Sequence, residues 1–331
     1  MHKILIVFGT RPEAIKLAPV INQLKAHYPK FQKLVCVTGQ HRELLDQVLE
    51  LFEITPDYDL DIMKKNQSLF EIAAGGLRKL EKILRKEKPD LTLVQGDTTT
   101  AFVASLAAYY LKIKIAHVEA GLRTKDKFNP FPEEVNRKLI DCLADLYFAP
   151  TEKAKMNLLG EGVDEARIFV TGNTVVDALL MIVEKQKDQK TMKNLEQMFL
   201  DKYGISLDNR KLILATGHRR ESFGKELSGI CRGLEKIARY NHDVQIIYPV
   251  HLNPNVKKPV RKMLNNVSNI YLIEPLDYFS FIWLMNRSYL ILTDSGGVQE
   301  EAPSLGKPVL VMRKKTERTE GIEVGTAKLV G

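Results

Sequence analysis

The chain has 331 residues, of which 44% are hydrophobic and 27% charged, a globular composition that excludes a disordered, collagen-like or low-complexity protein. The length predicts about two domains, each large enough to bury a core without a disulfide or metal staple. The formal charge is +8, but residues 1–170 hold 25 Lys/Arg against 23 Asp/Glu and residues 171–331 hold 24 against 18; this modest second-half excess has no basic stripe, so it suits one polyanionic small molecule and not nucleic acid.

From the N-terminus, short β-branched runs alternate with helix-length segments. In the first half the predicted strands are 3–8, 33–37, 91–95, 114–118, 146–149 and 167–170, with helices over 13–27, 68–86 and 98–111. A polar, lysine-bearing helical stretch follows over 173–209. The second half predicts strands at 211–215, 244–248, 269–273, 289–293, 308–312 and 327–330, with helices over 222–239, 278–285 and 295–305. Most runs are apolar throughout, as strands buried on both faces are. Alternating β and α elements imply right-handed parallel crossovers. The fold class expected is therefore α/β, with two Rossmann-like domains, 1–172 and 173–331, and a ligand cleft between them at the carboxyl ends of the strands. A doubly wound domain covers its last edge with a helix, so the end at Gly331 reads as cut short. No apolar run is long enough to cross a membrane, and the first sixteen residues do not form a signal peptide. Cys36, Cys142 and Cys231 are odd in number and far apart, so they read as reduced thiols of a cytoplasmic protein.

The loops after strands are where chemistry is sought. After 3–8 comes Gly9-Thr10-Arg11-Pro12-Glu13, where Gly9 allows a tight turn and Pro12 suits a first helical turn. Free N–H groups at that helix start favour an anion, and Arg11 and Lys16 add positive charge. After 91–95 stands Asp97, either a helix N-cap or a site carboxylate. After 114–118 stand Glu119 and Arg123. Pro132 then starts a helix in which Glu133 and Arg137 are spaced i, i+4, the spacing of a surface ion pair. Together, Asp97, Glu119 and Glu133 converge on one sheet edge, where crowded carboxylates raise one another's pKa and suit general acid–base work. HExxH, CxxC and paired-His spacings are absent, so no protein-bound metal is expected.

The second half carries the expected anion site. Ser295, Gly296 and Gly297 follow a strand and open a helix, where paired glycines let a backbone approach a phosphate. Glu301, one turn on, suits ribose hydroxyls. His218 lies among cations after 211–215, His251 ends the next strand, and Arg313 and Arg318 follow 308–312. Phe281 suits either a base pocket or the core. GxxxxGK[ST] and GxGxxG are both absent, so no nicotinamide or other cofactor is expected.

These loops, in this order, closely resemble the non-hydrolysing UDP-N-acetylglucosamine 2-epimerase family. The segments that carry the resemblance are FGTRPEAIKLAP, TGQHRELLDQVL, GDTTTAFVASLAA, HVEAGLRT, PFPEEVNRKLID, GNTVVDAL, TGHRRESFG, YPVHLNPNV, TDSGGVQEEAPSLGKPVLVMR and TER, spanning residues 8 to 318. The resemblance implies a GT-B-like pair of Rossmann-like domains that interconverts UDP-GlcNAc and UDP-ManNAc, as a cytoplasmic homodimer, with UDP held mainly by the second domain. By position it implies Asp97, Glu119 and Glu133 as acid–base carboxylates, Arg137 as their partner and His218 on the diphosphate side. Arg11, Lys16, His251, Phe281, Ser295, Gly296, Gly297, Glu301 and Arg318 are implied to bind substrate. It also implies a second UDP-GlcNAc as activator near Gln40, His41 and Arg42. Thr319 stands where the family has proline in TERPE, which predicts a looser loop around Arg318.

The C2 proton of GlcNAc is not acidic and no nicotinamide site is visible to oxidise C3. The expected route therefore eliminates UDP to 2-acetamidoglucal and adds it back with the proton on the other face. The alternatives are a hydrolysing 2-epimerase that releases ManNAc, an epimerase of a UDP-2,3-diacetamido sugar, a glycosyltransferase of the same architecture, and an inactive UDP-sugar-binding regulator.

Overall fold

The computed structural model describes every residue except 40, 41, 63–66, 209, 218–222 and 317, and the backbone alone of 42, 43 and 320. The described chain divides into two compact units, Met1–Ala178 and Leu179–Gly331.

The first unit runs β1 (His2–Phe8), α1 (Arg11–Ala26), β2 (Phe31–Val37), α2 (Arg42–Leu51), β3 (Tyr58–Asp59), α3 (Leu69–Glu87), β4 (Leu91–Gln95), α4 (Thr99–Tyr110), β5 (Lys114–Val118), α5 (Glu133–Leu143), β6 (Leu146–Ala149), α6 (Glu152–Gly160) and β7 (Ile168–Val170). The strands form one sheet in the order β3-β2-β1-β4-β5-β6-β7, with every pair parallel. In β1, Leu5, Ile6, Val7 and Phe8 are fully buried, because helices cover both faces of a parallel sheet. β3 has no apolar run to announce it. It forms because β2 offers it an edge, with Cys36 opposite Tyr58, while the Asp57 carboxylate accepts from the Val35 N–H at 2.8 Å.

α7 (Thr174–Lys185) spans the division between the units. The second unit continues with α8 (Gln189–Tyr203), β8 (Lys211–Thr216), α9 (Lys225–Tyr240), β9 (Val244–Pro249), α10 (Pro254–Leu264), β10 (Ile270–Ile273), α11 (Tyr278–Arg287), β11 (Leu290–Thr293), α12 (Gly296–Ser304), β12 (Val309–Val311), α13 (Glu320–Glu323) and β13 (Ala327–Leu329). Its sheet order is β10-β9-β8-β11-β12-β13, again parallel. The stretch read from sequence as polar has a buried face after all: Val175, Ala178, Leu179 and Ile182 of α7 are buried, and Phe199 of α8 stacks on Trp283 at 5.2 Å between centroids.

In both sheets the strand order reverses beside the first strand of the unit, between β1 and β4 and between β8 and β11. Such a switch point opens a crevice beyond the strands' carboxyl ends. The loops after β1, β4, β5 and β11, singled out from sequence, all leave those ends.

One turn at this edge depends on glycine. Gly121 has φ +85°, and a Cβ there would lie 2.3 Å from the Ala154 carbonyl oxygen. Backbone on both sides of the contact leaves no flexible atom to yield. Gly121→Ala is expected to cost about 2–4 kcal/mol and to lower the thermal midpoint of this unit by roughly 5–15 °C. Circular dichroism melting checks this, and an unchanged midpoint refutes it.

Candidate active site

The loop after β1 is built around one buried carboxylate. Thr10 is the N-cap of α1, and its side chain and Glu13 form a reciprocal capping box, which satisfies two of the helix's orphan N–H groups. Glu13 Oε2 also accepts from the Gly9 N–H at 3.0 Å and the Thr10 N–H at 2.8 Å, while Oε1 accepts from the Thr98 hydroxyl at 2.6 Å. Glu13 therefore ties the loop after β1 to the loop after β4. Burial pushes its carboxyl above the usual range, against the opposing pull of these hydrogen bonds. Sequence reading gave Glu13 no role, although its Thr-x-x-Glu spacing is a readable cap signature. Arg11 opens α1 half-buried at the same edge.

Lys16, one turn into α1, reaches Glu119 with its Nζ 2.7 Å from both carboxylate oxygens. Gln95, the last residue of β4, donates its side-chain amide to the same carboxylate. Glu119 has φ +69°, a left-handed conformation uncommon outside glycine. It is held there because its N–H and that of Ala120 both donate to the Phe148 carbonyl, at 3.0 and 3.1 Å. Strain of this kind costs on the order of 1–3 kcal/mol and persists where the surroundings over-determine it. Here it aims an acid.

Asp97 does not cap α4. Thr98 does, accepting from the Ala101 N–H at 3.0 Å, which leaves the Asp97 carboxylate to pair with the Arg137 guanidinium. The Asp97 carbonyl accepts from Asn136 Nδ2 at 2.9 Å. The i, i+4 pair of Glu133 with Arg137 does not form. Arg137 instead bridges Asp97 and the fully buried Glu134, 3.1 Å away at i, i+3. Glu134 is fixed from its other side by the N–H groups of Thr124 and Lys125, each at 3.0 Å. Glu133 stands half-buried at the first position of α5, and its carboxylate meets no hydrogen-bond partner among the described residues. So Asp97 and Glu119 are each matched to a cation, Arg137 and Lys16 respectively.

Arg123 also departs from expectation. It turns inward to Asp141 at 2.7 Å and to Glu161 at 2.6 Å. Asp141 also receives the Gly121 N–H at 3.1 Å and His117 Nδ1 at 2.6 Å, while His117 Nε2 meets the Gly96 carbonyl at 2.7 Å. Burial opposes ionisation of Asp141, but the positive charges and hydrogen bonds of His117 and Arg123 prevail and hold its carboxyl below the usual range. Sequence quoted His117 only as part of a loop and missed Asp141, because neither buried polar residue interrupts the helix or strand pattern.

In the second unit Ser295 is the N-cap of α12 without a side-chain cap bond. Gly296 lies against the Arg318 guanidinium, 2.9 Å from where a Cβ would stand. Arg318 Nε donates to Glu300 Oε1 at 2.8 Å, its N–H donates to the Thr316 hydroxyl at 3.2 Å, and Thr316 in turn donates to Gln299 at 2.7 Å. Thr316 and Arg318 are thus tied to α12 by side-chain hydrogen bonds. Gly297 is exposed beside them, and Arg313 is half-buried past β12. Glu301 is buried and accepts from the Tyr278 hydroxyl at 2.8 Å, a partner on α11 that no sequence signal marked. Phe281 is half-buried on the same helix, and exposed His251 accepts the Asn253 N–H at 3.1 Å on Nδ1. His218, Gln40 and His41 lie outside the described residues, and Arg42 is described by its backbone alone at the start of α2.

Residues 22–331 match the family model for UDP-N-acetylglucosamine 2-epimerase. The chain is 57% identical over 332 residues to the UDP-N-acetylglucosamine 2-epimerase of Campylobacter jejuni, covering 100% of this chain and 86% of that protein. It is 56% identical over 330 residues to that of Escherichia coli K12, covering 99% and 86%. Among solved structures, the UDP-GlcNAc 2-epimerase from Neisseria meningitidis bound to UDP-GlcNAc has a TM-score of 0.91 at 53% identity, covering 99% of this chain and 87% of that one. Two open parallel sheets with polar loops at their switch points make this an α/β protein of the GT-B-like class, with two Rossmann-like units. Within that class, the chain belongs to the UDP-N-acetylglucosamine 2-epimerase family.

Proposed function

We propose that the chain interconverts UDP-GlcNAc and UDP-ManNAc by inversion at C2 of the sugar. The observation that carries this reading is the cluster at the β1/β4 switch point. There, two carboxylates are each locked to a cation, Glu119 to Lys16 and Asp97 to Arg137, and a third, Glu133, stands nearby in sequence order on α5 with its carboxylate unengaged among the described residues. The family and its relatives named for this activity support the same reading.

One carboxylate takes the C2 proton while the C1–O bond breaks. The electron pair of that bond leaves on the β-phosphate of UDP, and a C1–C2 double bond forms, giving 2-acetamidoglucal. UDP then adds back at C1 as a second carboxylate delivers a proton to the opposite face of C2. Every atom and electron returns to the sugar nucleotide, so no cofactor is required. Asp97, Glu119 and Glu133 share the two proton transfers, oriented by Lys16 and Arg137. Arg11, His218 and the N-terminus of α12 at Ser295–Gly297, with Arg318, take the charge that develops on the diphosphate. Glu301, held by Tyr278, receives the ribose hydroxyls, with Phe281 and His251 alongside. The reading includes a homodimer in the cytoplasm and a second UDP-GlcNAc acting as activator at Gln40, His41 and Arg42.

Proton NMR of the chain with UDP-GlcNAc in D₂O, without additives, tests this. UDP-ManNAc carrying deuterium at C2 is the expected product. Accumulation of free ManNAc and UDP would assign the hydrolysing reaction instead. A sugar that stays unchanged and undeuterated would refute the proposal.

A further inference from the structure

His117 is a fully buried titratable side chain that the proton transfers above leave unused. Its two ring nitrogens meet the Asp141 carboxylate at 2.6 Å and the Gly96 carbonyl at 2.7 Å. The Gly96 carbonyl can only accept, so the ring holds it by donating from Nε2. Gly96 sits at φ +69°, its own N–H donating to the Val118 carbonyl at 3.0 Å. The carbonyl that His117 holds belongs to the peptide unit shared with Asp97. In a trans peptide the C=O and the following N–H point in opposite directions. With the carbonyl drawn to the buried ring, the Asp97 N–H faces away from it, and no described residue accepts that hydrogen. The other ties on this loop act later in the chain, at the Asp97 carbonyl through Asn136 and at Thr98 through Glu13. Among the described residues, His117 is the side chain that holds the carbonyl of the peptide leading into Asp97.

We propose that His117 is a positioning residue for the reaction. Backed by Asp141, it fixes the Gly96–Asp97 peptide so that the Asp97 carboxylate stays against Arg137 and the Asp97 N–H is presented to the bound sugar nucleotide. This role rests on the epimerase reading of the site.

Two isosteric substitutions separate positioning from stability. Asparagine places its amide nitrogen near the Nδ1 position, so His117→Asn keeps a donor for Asp141 and loses the hold on Gly96. Glutamine places its nitrogen near Nε2, so His117→Gln keeps the hold on Gly96 and loses Asp141. Steady-state turnover of UDP-GlcNAc and thermal midpoints are measured on the wild type and both variants. The expected result is a crossed order. His117→Asn loses at least about 30-fold in kcat, with KM within threefold and the smaller drop in midpoint. His117→Gln recovers to within about fivefold of wild-type kcat while melting lower. A kcat for His117→Asn within threefold of wild type, or activities that simply follow the midpoints, would overturn the proposal while leaving the epimerase reading intact. A wild type that neither epimerises nor exchanges the C2 hydrogen would overturn both.

A further measurement needs no variant. Gly96-Asp97 is the one Gly-Asp pair in the sequence, so labelling with carbonyl-¹³C glycine and ¹⁵N aspartate isolates a single NMR resonance for this peptide. That resonance is expected to shift when UDP-GlcNAc is added. A resonance that stays in place under saturating nucleotide sugar would overturn the presented N–H.

Discussion

Glu119→Gln is expected to lower kcat for UDP-GlcNAc by about 10²–10⁴-fold, the range for loss of a positioned acid–base group, and to move KM by only a fewfold. The amide preserves size and hydrogen-bonding reach, so the left-handed turn at residue 119 and its two backbone bonds to Phe148 persist. What disappears is the charge that Lys16 grips with both carboxylate oxygens at 2.7 Å. An amide also presents an NH₂ to a lysine that needs an acceptor, so one of those contacts becomes repulsive. Steady-state kinetics followed by deuterium incorporation at C2 measures the effect. Full turnover by Glu119→Gln would remove Glu119 from the proton transfers and leave it as the strained partner of Lys16. The strain gives the prediction its weight: a non-glycine residue is kept at φ +69° where an ordinary structural turn would take glycine, as Gly96 and Gly121 do on either side.

The second large effect is on stability. Asp141→Asn is expected to destabilise the first unit by about 3–5 kcal/mol, the usual result of removing one partner from a buried ionic network. Asp141 accepts hydrogen bonds from His117, Gly121 and Arg123. Asparagine supplies one oxygen for them and turns its NH₂ against the remaining donors. Among the described residues it also leaves Arg123 with the more exposed Glu161 as its remaining carboxylate, beside the Leu122 carbonyl. The pH dependence has a definite sign. Asp141 is held below the usual carboxylate range in the folded chain. Its contribution is therefore fully present above the pKa of an unfolded aspartate, about 4, and is lost as the pH falls through the lowered folded value. Wild type and Asp141→Asn should differ most near neutrality and converge as the pH drops below about 4. Denaturant unfolding across that range checks both the size and the sign. A gap that is constant with pH would mean that the carboxylate's charge is not what stabilises the network.

Much of this protein was legible in its sequence because parallel strands buried on both faces write themselves as short apolar runs. Every strand from β1 to β13 except β3 was read near its final place, and the loops singled out as candidates for chemistry follow β1, β4, β5 and β11. Residue types and local spacing are enough for that, since strand burial and helix starts are local properties. The family, too, was legible, because its motifs are strings of residues in order. What the sequence left open is decided by side chains that meet across elements. The i, i+4 rule pairs Glu133 with Arg137, yet Arg137 is drawn to the fully buried Glu134, a carboxylate that demands a cation more strongly than a half-exposed one does, and reaches across to Asp97 on another loop. Asp97 has the composition of an N-cap, but Thr98 takes that place and leaves the acid for the site. Lys16 and Glu119, 103 residues apart, meet only because the sheet sets β5 two strands from β1, with β4 between them. β3 exists only because β2 has an edge to offer. Local patterning determines which elements form and which loops are exposed; which charge answers which is settled by strand order, since a buried ion selects its partner by distance through the fold and not by separation along the chain.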